Sequence, residues 1–239
     1  MTTTHVYQSI ARATQEHGVD TMFGLMGDAN LFMVDAFVRE HGGRFIPAAH
    51  EGSAVLMALA YAHVSGKVGV ATITHGPALT NAMTALTEAA RGHVPMVLLV
   101  GDTPVDNPRH LQSIDQREVV KASGAGFEQL RSPATTGKDV ARAFYRAQVE
   151  RRPIVLNMPA DFMWQEVTHD MQVLDVFTAP GGVAEGDTLD NAIGMIASAR
   201  RPLILAGAGA IHARDQLIAL ADRLEAPLAT TLKAKGLFN

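Results

Sequence analysis

His50-Glu51-Gly52-Ser53-Ala54 opens a stretch rich in small residues, Val68-Gly69-Val70-Ala71-Thr72-Ile73-Thr74 follows as an apolar run, and His75-Gly76-Pro77-Ala78-Leu79-Thr80-Asn81 turns the chain into the next segment. The first part reads as a helix headed by a carboxylate and the second as a strand covered on both faces, as in a parallel sheet. Helix start and Gly-Pro turn then share one edge of the sheet, where open α/β folds place their ligands. Glu51 alone carries little, because the dipole of any helix favours an acid in its first turn. Its position beside the turn gives it weight.

Working outward, the same alternation continues on both sides. Val6, Ile10 and Ala13 recur at helical spacing and His17-Gly18 stops that helix. Val19 to Phe23 reads as a strand, and Gly24-Leu25-Met26-Gly27-Asp28-Ala29-Asn30 as a tight crossing with Asp28 or Asn30 near a helix N-terminus. A helix over 31–39 and a strand over 44–49 lead to Glu51. Beyond the central stretch we expect a helix from about Leu79 to Arg91, a buried strand over 95–100, a turn-rich loop over 101–108, a helix over 140–149 and a strand over 151–159. Ala54, Ala58 and Ala62 give the helix after Glu51 a small-residue face, suited equally to packing within the chain and to a dimer seam.

The expected fold is α/β, a doubly wound parallel sheet over residues 1–168, then a linker over 169–186 marked by Ala179-Pro180-Gly181-Gly182, then a partial second α/β domain over 187–239. That second part repeats the helix-Arg-Arg-Pro-strand design at Arg200-Arg201-Pro202 and ends after about one βαβ unit, as if truncated.

Composition narrows the function. With 47% hydrophobic residues the chain has ample core; the net charge of −4 without a basic block argues against a nucleic-acid surface. No run is long enough for a membrane span, and Met1-Thr2-Thr3-Thr4-His5 lacks the features of a signal peptide. Those two features lead us to expect a cytoplasmic location; the absence of cysteine removes disulfides and thiolate metal sites and is compatible with a reducing compartment. His50-Glu51 begins like the zinc motif His-Glu-x-x-His, but Ala54 stands where the second histidine would be. Gly207-Ala208-Gly209 supplies only two glycines of Gly-x-Gly-x-x-Gly and reads as a turn.

Several motifs in order resemble the pyrimidine-binding domain of the thiamine-diphosphate enzymes of the acetolactate synthase, 2-oxo-acid decarboxylase and benzaldehyde lyase type. They are His50-Glu51-Gly52-Ser53-Ala54, Ala60-Tyr61-Ala62, Gly69-Val70, Thr74-His75-Gly76-Pro77-Ala78-Leu79-Thr80-Asn81 and Val94-Pro95 leading through an apolar strand to Gly101. The chain departs from the family pattern at Leu59 (usually Gly), His75 (usually Ser) and Ala78 (usually Gly). Gly27-Asp28-Ala29-Asn30-Leu31 is similar to the Gly-Asp-x-Asn-Leu of pyruvate-type decarboxylases, whereas Leu111-Gln112-Ser113-Ile114-Asp115-Gln116 is similar to benzaldehyde lyase. Those two signals point to different subfamilies.

The resemblance implies that Glu51 hydrogen-bonds the N1′ atom of the cofactor's aminopyrimidine ring and so activates the thiazolium carbon for attack on a 2-oxo acid. It implies catalytic roles for Glu51, Asp28 and Gln112, cofactor contacts for Glu51, Thr74, His75, Gly76, Pro77 and Asn81, and a substrate pocket touching Met26, Gly27 and His110. Thiamine diphosphate is the expected cofactor. Mg²⁺ and the diphosphate belong, in the family, to a separate pyrophosphate-binding domain with Gly-Asp-Gly, and Gly27-Asp28, Gly101-Asp102 and Gly186-Asp187 each lack the second Gly. No metal site is therefore expected in this chain, which alone should be inactive. The central domain of the family holds FAD, ADP or neither, and nothing here supports FAD. The expected partner is the pyrophosphate-binding domain of another subunit in a homodimer or homotetramer. The function expected is the N-terminal part of a 2-oxo-acid decarboxylase or carboligase; the alternatives are an α-type subunit completed by a separate chain, and a non-catalytic module that keeps the fold.

Overall fold

A computed structural model describes residues 3–107, 109–170, 173, 174, 176, 182 and 185–239. The chain divides into two compact units, Met1–Phe177 and Thr178–Asn239. The first unit begins with β1 (Thr3–His5), α1 (Val6–Glu16), β2 (Thr21–Gly24), α2 (Leu31–Arg39), β3 (Arg44–Pro47), α3 (Glu51–Ser65) and β4 (Gly69–Ile73). It continues with α4 (Pro77–Asn81), α5 (Met83–Arg91), β5 (Met96–Asp102), α6 (Gln116–Ser123), β6 (Gly126–Gln129), α7 (Thr136–Glu150), β7 (Pro153–Pro159) and β8 (Glu166–Thr168). Six strands form one parallel sheet in the order β3-β2-β4-β5-β7-β6.

The period of two along each strand builds the layers. On β5, Val97 and Leu99 pack with Ile10, Phe37 and Phe144 from α1, α2 and α7, while Met96, Leu98 and Val100 pack with Val55, Leu86 and Val120 from α3, α5 and α6. Both faces are therefore covered, and β4, β5 and β7 are buried along nearly their whole lengths. The edge strand β3 carries Arg44 and Pro47, residues that discourage another chain from pairing there. Small residues set the closest approach: a Cβ on Gly69 would lie 2.3 Å from the Ala58 carbonyl oxygen. The Ala54–Ala58–Ala62 face thus packs within this chain, with all three alanines buried.

The strand order reverses between β2 and β4, since β2 continues to β3 on one side and has β4 on the other. That switch point places the turn after β2 beside the turn after β4. One expectation needs correction beside it. The single helix over Leu79–Arg91 is two helices, α4 and α5, meeting at Ala82, where an Ala82 N–H to Leu79 carbonyl bond closes α4 as a tight turn. The Thr80 hydroxyl, donating to the Pro77 carbonyl, competes for the backbone there. Sequence periodicity also passed over α6, β6 and the short antiparallel pair β1–β8.

The β1–β8 pair has a purpose in the fold. The Val6 and Tyr7 amides, without partners inside α1, donate to the Gln165 and Met163 carbonyls. His169, the first residue of the expected linker, is buried against α1: its Nδ1 is 2.8 Å from Ser9 Oγ and its Nε2 is 2.9 Å from Glu16 Oε2. The linker motif at Ala179-Pro180-Gly181 lies outside the described residues.

The second unit contains α8 (Asp187–Ala197), β9 (Ile204–Ala206), α9 (Arg214–Leu224) and β10 (Leu228–Thr230). Its two strands are parallel, and Gly207-Ala208-Gly209 leads into a 3-10 turn over Ala208–Ala213.

Candidate active site

Glu51 is the first residue of α3 and is only 9% exposed. His50 caps that helix, its Nδ1 accepting from the Gly52 amide at 3.0 Å. Asn81 ends α4, and its Nδ2 donates to Glu51 Oε2 at 3.0 Å. The break at Ala82 leaves Asn81 as the last residue of its helix, turned to the start of α3. Among the described residues Oε1 of Glu51 receives no hydrogen bond, so a nearly buried carboxylate keeps one oxygen for a ligand.

A second group gathers around His75. The Thr74 hydroxyl donates to Asp28 Oδ1 at 3.1 Å and lies 2.8 Å from His75 Nδ1; Asp28 Oδ1 is 3.6 Å from the same nitrogen. A hydroxyl has one proton, so with that proton on Asp28 the Nδ1–H of His75 donates to Thr74, and Nε2 carries the lone pair. His75 is 2% exposed, and this burial pushes its pKa below the ordinary 6.5; Asp28 opposes the shift and His110, whose ring centroid is 5.4 Å away, reinforces it. The imidazole is therefore neutral at pH 7. Asp28, with a side chain 73% exposed, is an acceptor at the mouth of this chain of bonds rather than a helix cap.

Asn30 does not cap its helix either. It is buried and braces the turn: its Oδ1 accepts from the Gly27 amide at 2.7 Å, and its Nδ2 donates to the Leu25 carbonyl at 3.2 Å and to Thr72 Oγ1 at 3.1 Å. Gly27 is required there, because a Cβ would come within 2.7 Å of Thr74 Cβ. Gly76 has φ +60°, and a Cβ on it would sit 2.0 Å from the Gln112 carbonyl oxygen. That carbonyl approaches Gly76, and the Gln112 amide donates to His110 Nδ1 at 3.3 Å.

The structure thus brings Glu51 to Asn81, and Asp28, Thr74, His75 and His110 to one another. Gln112 meets Gly76 through its backbone. Met26, 48% exposed, instead lines a groove of about 710 Å³ between α2 and β3 with Leu31, Val34, Phe45 and Pro47, whose lining includes none of the other expected site residues. Among the described residues no group of three or more His, Asp or Glu side chains is placed to hold a metal ion. No helix there is long and apolar enough to cross a membrane.

Two buried residues that brace the Gly76 turn were not singled out by the sequence reading. Gln116 and Asn157 are buried amides joined to each other and to the Gly76 turn. The signal was present in Asn157, a polar side chain inside the apolar run 154–158 that must find partners on burial.

Residues 4–119 match the family described as "Thiamine pyrophosphate enzyme, N-terminal TPP binding domain", and residues 189–239 match its central domain. The chain belongs to the thiamine pyrophosphate enzyme family. It is 32% identical over 230 residues to a sulfoacetaldehyde acetyltransferase of Rhodobacter capsulatus, covering 93% of this chain and 38% of that protein. It is 35% identical over 240 residues to a probable 2-ketoarginine decarboxylase of Pseudomonas aeruginosa (96% of this chain, 42% of the relative). With the acetolactate synthase large subunit of Parasynechococcus marenigrum the identity is 36% over 244 residues (95% and 39%). The chain spans about two fifths of the length of these curated relatives.

Proposed function

We propose that these residues form the aminopyrimidine half of a thiamine-diphosphate site in an enzyme that cleaves 2-oxo acids and either protonates the product or joins it to a second carbonyl compound. The observation that carries this reading is Glu51: a nearly buried carboxylate at the switch point, one oxygen tied to Asn81 and the other open. The donor set suits the group. A ring N–H of an aminopyrimidine needs one well-oriented carboxylate oxygen, and a site dry enough for the bond to retain its strength.

Thiamine diphosphate, when bound, supplies the electron sink for carbanion chemistry. The chain's own residues prepare it. Asn81 fixes the Glu51 carboxylate so that Oε1 faces the ligand side, and Glu51 holds a proton in common with the ring nitrogen. Gly76, without a side chain, lets the Gln112 carbonyl close against the turn, and Pro77 fixes the start of the helix that carries Asn81. The Asp28–Thr74–His75 chain orients a neutral imidazole, which fixes the side on which a small acid would fit and keeps a proton acceptor there. Gln112 and His110 close that side.

Diphosphate and Mg²⁺ fall, in this reading, to a pyrophosphate-binding domain of another subunit. Support comes from α3, whose outward residues Leu56 and Val64 are exposed although the helix is apolar nearly all round, the pattern of a helix covered on more than one side. The chain alone then binds the cofactor weakly and turns nothing over. The decisive experiment measures carbon dioxide release from a panel of 2-oxo acids by the complete enzyme, with and without thiamine diphosphate, for wild type and Glu51→Gln. Cofactor-dependent release that collapses in the variant is expected; full turnover by Glu51→Gln would sink the reading.

A further inference from the structure

Gln116, the first residue of α6, is 3% exposed and every polar atom of its side chain is used. Its Oε1 accepts from the Gly76 amide at 2.9 Å. Its Nε2 donates to the Gly101 carbonyl at 2.9 Å and to Asn157 Oδ1. Asn157 is saturated in turn, its Nδ2 donating to Asp102 Oδ2 at 2.6 Å and to Gln129 Oε1 at 2.9 Å. The two amides together thus tie the Gly76 turn to the ends of β5, β6 and β7. The donors and acceptors alternate so that neither amide can flip without opposing like against like.

Gly76 needs this tie. It stands at φ +60° and ψ −111°, outside the helical region, immediately before Pro77, and its carbonyl starts α4 by accepting from Leu79 N–H. Gln116 fixes the preceding His75–Gly76 peptide through its N–H, and the φ and ψ of Gly76 carry that orientation to the Gly76–Pro77 peptide, whose carbonyl sets the direction of the short helix ending at Asn81, the residue that holds Glu51. Asp115 anchors the other end of the tie by capping α6, accepting from the Glu118 amide at 3.1 Å.

We propose that Gln116 is a positioning residue: by holding the His75–Gly76 peptide it sets the turn at Gly76 that brings Asn81 to Glu51, and so sets how tightly the aminopyrimidine half accepts the cofactor. The consequence for the cofactor rests on the function proposed above; the hold on Gly76 does not.

Gln116→Met keeps the length of the side chain and removes its hydrogen bonds, and two readouts on the complete enzyme test it. Amide hydrogen exchange over residues 74–82 reports the tie without reference to turnover. The Gly76 amide should exchange about tenfold faster while α5 keeps its protection. The thiamine diphosphate concentration giving half-maximal rate should rise about tenfold, with turnover at saturating cofactor returning to within about threefold of wild type, because the bound ring restores the turn. A folding defect would do the opposite, lowering turnover at every cofactor concentration with half-saturation unchanged. Gln116→Asn, one methylene too short to reach both Gly76 and Asn157, serves if the Met variant does not accumulate, and should show the same pattern more weakly. Unchanged exchange at Gly76, or lost turnover at unchanged half-saturation, overturns the proposal. Failure of the thiamine-diphosphate reading looks different: the wild-type rate would ignore both the added cofactor and Glu51→Gln, and the exchange result would still decide whether Gln116 holds the turn.

Discussion

Two polar clusters sit at the same edge of the sheet and follow opposite rules. Around Gln116 and Asn157 every buried donor and acceptor has a partner, and the partners are the ends of three strands and one turn. At Glu51 one oxygen has Asn81 and the other has no partner among the described residues. A closed network out of water fixes geometry; an acceptor left unpaired on a nearly buried carboxylate, yet not sealed from solvent, is free to take a ligand. The difference separates scaffold from site more sharply than position along the chain does, since Gln116 stands only four residues beyond the expected site residue Gln112.

Opposite substitutions should break the two clusters in opposite ways. Glu51→Gln replaces the shared-proton acceptor by an amide of equal size, so turnover of the complete enzyme should fall by about 10²–10⁴, the range for loss of a positioned acid–base group, with the unfolding midpoint barely moved. Asn157→Ala should do the reverse for stability. It strips partners from Gln116, Asp102 and Gln129 and opens a small void, costing about 2–4 kcal/mol in denaturant unfolding. Comparable stability losses from both variants would show that Glu51 belongs to the scaffold after all.

How far the sequence could anticipate this follows from the kind of signal each residue sends. The buried parallel strands were legible because apolar runs such as Val68 to Thr74 leave few alternatives, and α1 because the spacing of Val6, Ile10 and Ala13 agrees with the stop at His17-Gly18. The break at Ala82 was not, since neither Pro nor Gly marks it and the competing Thr80 hydroxyl looks like any other exposed threonine. The short α6 and β6 lie after a turn-rich loop, where eight- and four-residue elements produce too few periods to stand out. Of the site, Glu51 and the Gly76 turn were visible as motifs. Its supports were not: Gln116, Asn30 and Asn157 act through groups far away in sequence, Gly76 and Gly101 for Gln116, the Thr72 hydroxyl for Asn30, and the Asp102 and Gln129 side chains for Asn157, and only folding tells which groups those are.

Smaller effects sharpen the comparison. Asn81→Ala removes the single bond that holds the open carboxylate, from a residue that is itself exposed. Stability should change by about 1 kcal/mol or less, while cofactor-dependent turnover should fall about tenfold, intermediate between wild type and Glu51→Gln. An unaffected rate would mean that Glu51 is oriented by its helix alone.

The smallest effect should come from pH, at His75. Burial holds the folded ring below 6.5, against Asp28 and with His110, while the unfolded chain takes up its proton near 6.5. The unfolded state therefore binds more protons as pH falls. The contribution of the neutral ring is complete above that value and is lost as the pH drops from there through the lower folded value. Asp102 also faces the ring and, like Asp28, favours its charged form, so the two carboxylates limit the loss. His41, likewise held low by burial, gives a loss of the same sign in both proteins compared, so the subtraction must be made against His75→Ser, which retains His41. Urea midpoints of wild type should fall between pH 7.5 and 5.5 by more than those of His75→Ser. Equal falls would show that His75 is not a buried neutral group. The Asp28–Thr74–His75 chain would then be a solvent-exposed arrangement, as open to water as Glu51 is to a ligand.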